Sequence, residues 1–278
     1  MSQAHAAKNS GLPGQDSYGT VSGGMMLRFP ALLFLVSLFL SAEWAHGNTP
    51  AQVKTLSTEM LRDIMQKGTT EELAHILRNG ITPDARLKDG MPLLVLAAYT
   101  GRVDMVHTLL KHGAEPNAAQ SPGITALSVA AATNNAHMLD LLLAHGADKN
   151  FCAAQGDSIL MLACSQGALD TIQMLLAYKA DPNLADANGV TPLIYSIARC
   201  EEPAVVGRML LEHGANPNAR MKDGTTALIA AALRNNAECT RLLLSHGADA
   251  AARDDAGHCA RDLARNPEVQ KLLDTAAK

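Results

Sequence analysis

Glycines recur at positions 90, 123, 156, 189, 224 and 257, separated by 33, 33, 33, 35 and 33 residues. A second series, Gly80, Gly113, Gly146, Gly214 and Gly247, keeps the same steps once Lys179 is counted in its place. Leu94, Leu127, Leu160, Leu193 and Leu228 march with both. Two independent markers locked to one period across most of a chain describe an array of similar units. A unit this short cannot bury its own apolar faces, so its stability must come from stacking on its neighbours.

The local signals within one unit are consistent with that. In "NGVTPLIYSIA", Thr191 can cap a helix and Pro192 suits the first helical position, where no N–H partner is needed. A short alanine-rich helix follows, then a turn such as "TG" at 100–101 or "QG" at 166–167. In the second helix, Leu169, Ile172, Leu175 and Leu176 lie on one face. The glycine of "HGA" supplies the left-handed backbone that ends this helix. "DPNLADANGV" then has turn-forming residues without helical period and is expected to be an extended hairpin.

"SPGITALSVAA…LLLAHGADKN" and "DANGVTPLIYSIA…LLEHGANPN" resemble the repeat of the ankyrin family. The resemblance implies an all-α solenoid of stacked helix-turn-helix units joined by short β-hairpins. Five full units are expected at 88–120, 121–153, 154–186, 187–221 and 222–254. A degenerate unit at 51–87 and a truncated one at 255–278 would cap the ends. The chain departs from the family pattern in several places. Val95, Ser128, Met161, Ile194 and Ile229 stand where a histidine follows TPL, Pro92 replaces the first capping threonine, and Lys179 replaces a turn glycine. The two extra residues of the fourth unit are expected in the inter-helix loop around 198–203.

Only 3% of residues are aromatic, so a core must come from Leu, Ala, Val, Ile and Met, as closely packed small helices require. The net charge of −4 without a basic stripe argues against nucleic acid. The five cysteines, Cys152, Cys164, Cys200, Cys239 and Cys259, contain no CxxC pair and read mainly as small buried hydrophobes.

Residues 1–24 are polar and Gly/Ser-rich and are expected to be a disordered leader, with Met25 or Met26 as alternative starts. Between Arg28 and Glu43 lie 14 uncharged, mostly apolar residues, too few for the roughly 20 of a bilayer-spanning helix. Segment 25–47 therefore reads as a signal peptide cut after Gly47, which predicts a periplasmic or secreted protein. The alternative is an uncleaved segment tethering a scaffold to the inner membrane. Resemblance to exported bacterial ankyrin-repeat proteins further implies a role accessory to periplasmic stress or peroxide defence.

No GxSxG, HExxH, P-loop or GxGxxG occurs, so neither an enzyme nor a cofactor or small-molecule substrate is expected. His112, His145, His213 and His246 recur at a helix end, where the dipole explains them. Successive units lie about 8–10 Å apart, too far for shared ligation of zinc at about 2 Å. What the repeat leaves free is the hairpin tips and the ends of the first helices. The family binds proteins there, without a fixed code, so the expected partner is another protein. The tips offer Lys88, Met91 and Lys222; the helix ends offer Tyr99, Thr100, Thr133, Gln166, Arg199, Leu233 and Arg234. Tyr99, Arg199 and Arg234 are the expected anchors, being of the types that dominate interface energy. A rival reading is a thiol-based redox protein using an exposed Cys152 or Cys200.

Overall fold

The structure, a computed structural model, describes residues 57–276 apart from 122, 154 and 155. The leader and signal segment expected at 1–47 lie outside the described residues. Helices pair off along the chain: α1 (Thr58–Lys67) with α2 (Thr70–Arg78), α3 (Leu93–Tyr99) with α4 (Val103–Lys111), α5 (Ala126–Ala132) with α6 (Ala136–Ala144), and α7 (Ile159–Ser165) with α8 (Leu169–Ala177). They continue as α9 (Pro192–Arg199) with α10 (Pro203–Glu212), α11 (Ala227–Leu233) with α12 (Ala237–Ser245), and α13 (Ala260–Leu263) with α14 (Pro267–Ala276). The first helix of each pair packs on the first helices before and after it, and the second helices do likewise. Two helical layers result, with the core between them.

Sequence explains why each helix starts and stops. Thr125, Ser158, Thr191 and Thr226 accept a bond from the backbone N–H three residues on, and Pro192 occupies the first turn as expected. Pro92, which has no hydroxyl, makes no side-chain cap. The inner helices bury nearly their whole length; Leu93 to Ala98 and Ala227 to Ala232 are all buried. Their alanines let neighbouring units approach closely. The outer helices from α2 to α12 each end on a left-handed residue, glycine in most units and Lys179 at φ +60° in the third. A side chain there is strained by about 1–2 kcal/mol.

Short antiparallel hairpins link the pairs. Where the first full unit meets the second, β1 (Ala119–Gln120) pairs with β2 (Ile124–Thr125), Ala119 facing Thr125. At four other junctions the hairpin shrinks to single bridges, Arg86 to Pro92, Cys152 to Ser158, Arg220 to Thr226 and Arg253 to Cys259, and before α9 the Asp186 N–H bonds the Val190 carbonyl at 3.0 Å.

The fourth unit corrects one expectation. Its extra residues do not enlarge the inter-helix loop. α9 has 8 residues where α3, α5, α7 and α11 have 7, and α10 has 10 where α4, α6, α8 and α12 have 9. Each helix absorbs one residue. The turns of the other full units pass through a left-handed residue, Gly101, Asn134, Gly167 or Asn235. In the fourth unit Cys200 is extended instead (φ −69°, ψ 157°), and Pro203 opens α10.

Candidate binding surface

A binding surface made of separate units is only as rigid as the joints between them. One joint recurs along the array and uses the asparagine that closes each "GAD-x-N" line. Asn117 Oδ1 accepts from the backbone N–H of Asp148 at 2.7 Å, Asn150 from Asp181 at 2.8 Å, Asn183 from Asn216 at 2.7 Å, and Asn218 from Asp249 at 2.7 Å. Asp84 does the same for Glu115 at 2.7 Å. The amides of Asn183 and Asn218 also donate to the carbonyls of Gly214 and Gly247, each at 3.0 Å. Every such side chain thus grips the hairpin base of the unit after it. Sequence reasoning missed this role, although the spacing of Asn117, Asn150, Asn183 and Asn218 repeats as regularly as that of the glycines.

Arginines add a second set of ties. Arg86 donates to the carbonyls of Gly90 and, one unit on, Ala119, both at 2.9 Å. Arg220 reaches the carbonyl of Arg253 at 2.6 Å. Arg102 spans back to the carbonyls of Gln66 and Gly68 while pairing with Asp104 at 2.7 Å. That hydrogen-bonded guanidinium holds the Asp104 carboxyl below the usual carboxylate range. At the C-terminal tips, Lys222 N–H donates to the Asn188 carbonyl and Asp255 N–H to that of Asp223.

The histidine series has a local explanation. Nδ1 of His112, His145, His213 and His246 lies 2.8–2.9 Å from the carbonyl four residues earlier, at the C-terminus of its own helix. In the third unit Tyr178 replaces the histidine and donates instead to Asp140 of the preceding unit at 2.7 Å.

Against this scaffold the predicted partner-binding residues separate. Lys88, Thr133, Gln166, Arg199, Lys222, Leu233 and Arg234 are exposed; Tyr99 and Thr100 are half-buried. Leu233 retains 47% of its surface, the most of any large apolar side chain described. Met91 is a correction: it is only 5% exposed, because the chain has already turned back into the hairpin, with the Met91 carbonyl accepting from Leu87 N–H at 2.9 Å. Thr100 and Thr133 spend their hydroxyls on carbonyls of their own helices. Arg234, expected as a free anchor, donates Nη1 to the Ala198 carbonyl at 2.6 Å and so also ties the fifth unit to the fourth. Burial pushes the Tyr99 hydroxyl pKa up.

Four of the five thiols are set up to stay protonated. Cys200 is buried rather than exposed, its pKa pushed up to about 11 by burial, and Cys239 likewise reaches about 11. Burial raises Cys164 still further. Cys152 is exposed, yet its pKa rises through partial burial and the nearby carboxylates of Asp148 and Asp157. A cysteine that is a fast nucleophile or redox catalyst at neutral pH needs the opposite setting.

Comparison with known proteins decides the family. The family model described as ankyrin repeats (three copies) matches residues 61–153, 94–186 and 160–254. The chain belongs to the ankyrin-repeat family. Among solved structures, the ankyrin repeat domain of Bcl-3, titled a unique member of the IkappaB protein family, superposes with a TM-score of 0.71 at 27% identity, covering 83% of this chain and 100% of that one. An ankyrin repeat domain from Acinetobacter baumannii AYE gives 0.65 at 29% identity, over 68% of this chain and 98% of that one. A curated human relative, BCL-6 corepressor-like protein 1, is 40% identical over 65 residues, 23% of this chain but 4% of that protein. This ankyrin array is a protein–protein interaction module, with no fixed partner implied by its family.

Proposed function

We propose that the array is an exported, non-enzymatic protein-binding module whose partner docks on the hairpin tips and inner-helix ends. The supporting observation is that stacking buries the inner helices almost completely, leaving Tyr99, Thr133, Gln166, Arg199, Leu233 and Arg234 as their outward-facing remainder. Rigid inter-unit ties let such a surface bind with little ordering entropy lost. Capture of partners by the purified protein, compared with a Tyr99→Ala/Arg199→Ala/Leu233→Ala variant of unchanged helical content, tests the surface. Loss of a captured protein is expected, and undiminished capture would move the site to another face. Export is tested separately by N-terminal sequencing of the mature protein: Asn48 as first residue is expected, whereas an intact leader in the membrane fraction overturns cleavage.

A further inference from the structure

At the joint between the third and fourth units the thiol of one buried cysteine meets the backbone of another. Cys164 lies near the end of α7, and Cys200 ends α9, the helix stacked on it. Cys200 Sγ is 3.1 Å from the Cys164 carbonyl oxygen. Covalent geometry then limits the two Cα atoms to no more than about 8 Å apart, against the roughly 4.4–6.8 Å that a disulfide spans. Any excess over that span has to be closed by rotation of a side chain and a shift of the turn. The turn is the irregular one of the fourth unit, extended at Cys200 and lacking the left-handed residue that fixes its counterparts. The other three cysteines are placed differently: Cys152 bonds within its own hairpin, Cys239 is buried in α12, and Cys259 caps α13.

We propose that Cys164 and Cys200 form a modification site, a disulfide that staples the third unit to the fourth when a small aliphatic disulfide supplies the oxidising equivalents. The inference is independent of the docking surface. The Cys200 thiolate attacks one sulfur of RSSR, forming a mixed disulfide and releasing RS⁻, which takes up the proton of the Cys164 thiol. The Cys164 sulfur then displaces the second RS⁻ from Cys200, and that RS⁻ is protonated by solvent. Two protein thiols lose two electrons and two protons, and RSSR becomes two RSH. Cys200 attacks first because the nearby Arg234 guanidinium partly offsets its burial, while Cys164 is held more firmly protonated. Both thiols are protonated at neutral pH, so closure is slow at pH 7 and speeds up as pH rises toward the Cys200 pKa.

The test treats the folded full-length protein with bis(2-hydroxyethyl) disulfide at pH 7 and pH 9. Mass spectrometry and peptide mapping follow, with thermal melts of oxidised and reduced samples. A Cys164–Cys200 cross-linked peptide about 2 Da lighter than the reduced pair is expected, forming about tenfold faster or more at pH 9. The oxidised protein is expected to melt about 5–10 °C higher, and this gain should vanish in Cys200→Ala. Should the oxidised protein carry only pairings of Cys152, Cys239 or Cys259, or cross-link 164 to 200 only after urea unfolding, the proposal is overturned. A cross-link that lowers the melting temperature would also overturn the staple.

Discussion

The fourth and fifth units adjoin and share the same hairpin, terminal glycine turn and asparagine joint, yet they fill the space between their helices by different means. In the fifth unit the inner helix presents Ala232 and its turn passes through Asn235 in the left-handed region. In the fourth, the position equivalent to Ala98, Ala131, Cys164 and Ala232 is Ile197. Across the layer, where α4, α6 and α8 place Val106, Leu139 and Ile172, α10 places Gly207. A Cβ on Gly207 would come within 3.1 Å of Ile197 Cδ1 and 3.4 Å of Leu242 Cδ2. Bulk has moved from the outer helix to the inner one. The fourth unit therefore keeps the layer's volume while lengthening both helices, and an insertion that looks like a loop event is a repacking event.

The sharpest way to break this comparison is to undo one half of the exchange. Ile197→Ala is expected to destabilise the array by about 2–5 kcal/mol through lost burial and a cavity. Gly207→Val alone should cost about 1–3 kcal/mol by overpacking. Urea unfolding of the double variant should show a loss smaller than the sum of the two, since each change relieves the other. Strict additivity would mean the two positions do not compensate.

Next in size is the joint that the two units share. Asn183→Ala and Asn218→Ala should each lower stability by about 0.5–1.5 kcal/mol and by similar amounts, because both side chains make the same pair of bonds to the following unit. A marked difference in urea midpoint would show that the irregularity of the fourth unit reaches its hairpin base.

Turn chemistry refines the contrast further. Lys179→Gly should raise stability by about 1 kcal/mol by relieving a left-handed side chain. Glu201→Gly, in a turn that no longer uses such a residue, should bring no gain. Paired thermal melts decide between them.

The smallest effect is at the N-terminal end, where Arg102 ties back to Gln66 and Gly68. The folded state holds the Asp104 pKa below its ordinary value, so its contribution is full at neutral pH and is lost as pH falls through the carboxylate range. Asp104→Asn should cost no more than about 0.5 kcal/mol at pH 7, given the exposure of the pair, and nothing near pH 2. A cost that persists in acid would assign the effect to packing.

Much of this array was legible from residue spacing, because caps, glycine turns and apolar faces act within a few residues of one another. Thr191, Pro192 and the glycines at 113, 146, 214 and 247 fell where local rules place them. What escaped acts across units. The asparagine joints link atoms 29–33 residues apart, and the Ile197–Gly207 exchange is visible only when facing layers are compared. Met91 was misplaced because one residue decides whether a tip points outward or turns back into its hairpin. Arg234 illustrates the remaining difficulty for the surface: an exposed arginine in sequence is a free donor, whereas here one nitrogen is committed to Ala198.

The asparagine joint also bears on how such a chain can change length. Because Asn117, Asn150, Asn183 and Asn218 each accept a backbone N–H of the unit that follows, a slice cut from one asparagine to the next carries away one such acceptor and one such donor together. Excision of residues 151–183, or their duplication, leaves every seam with a matching half, so the number of units can drift while the grip between survivors stays the same.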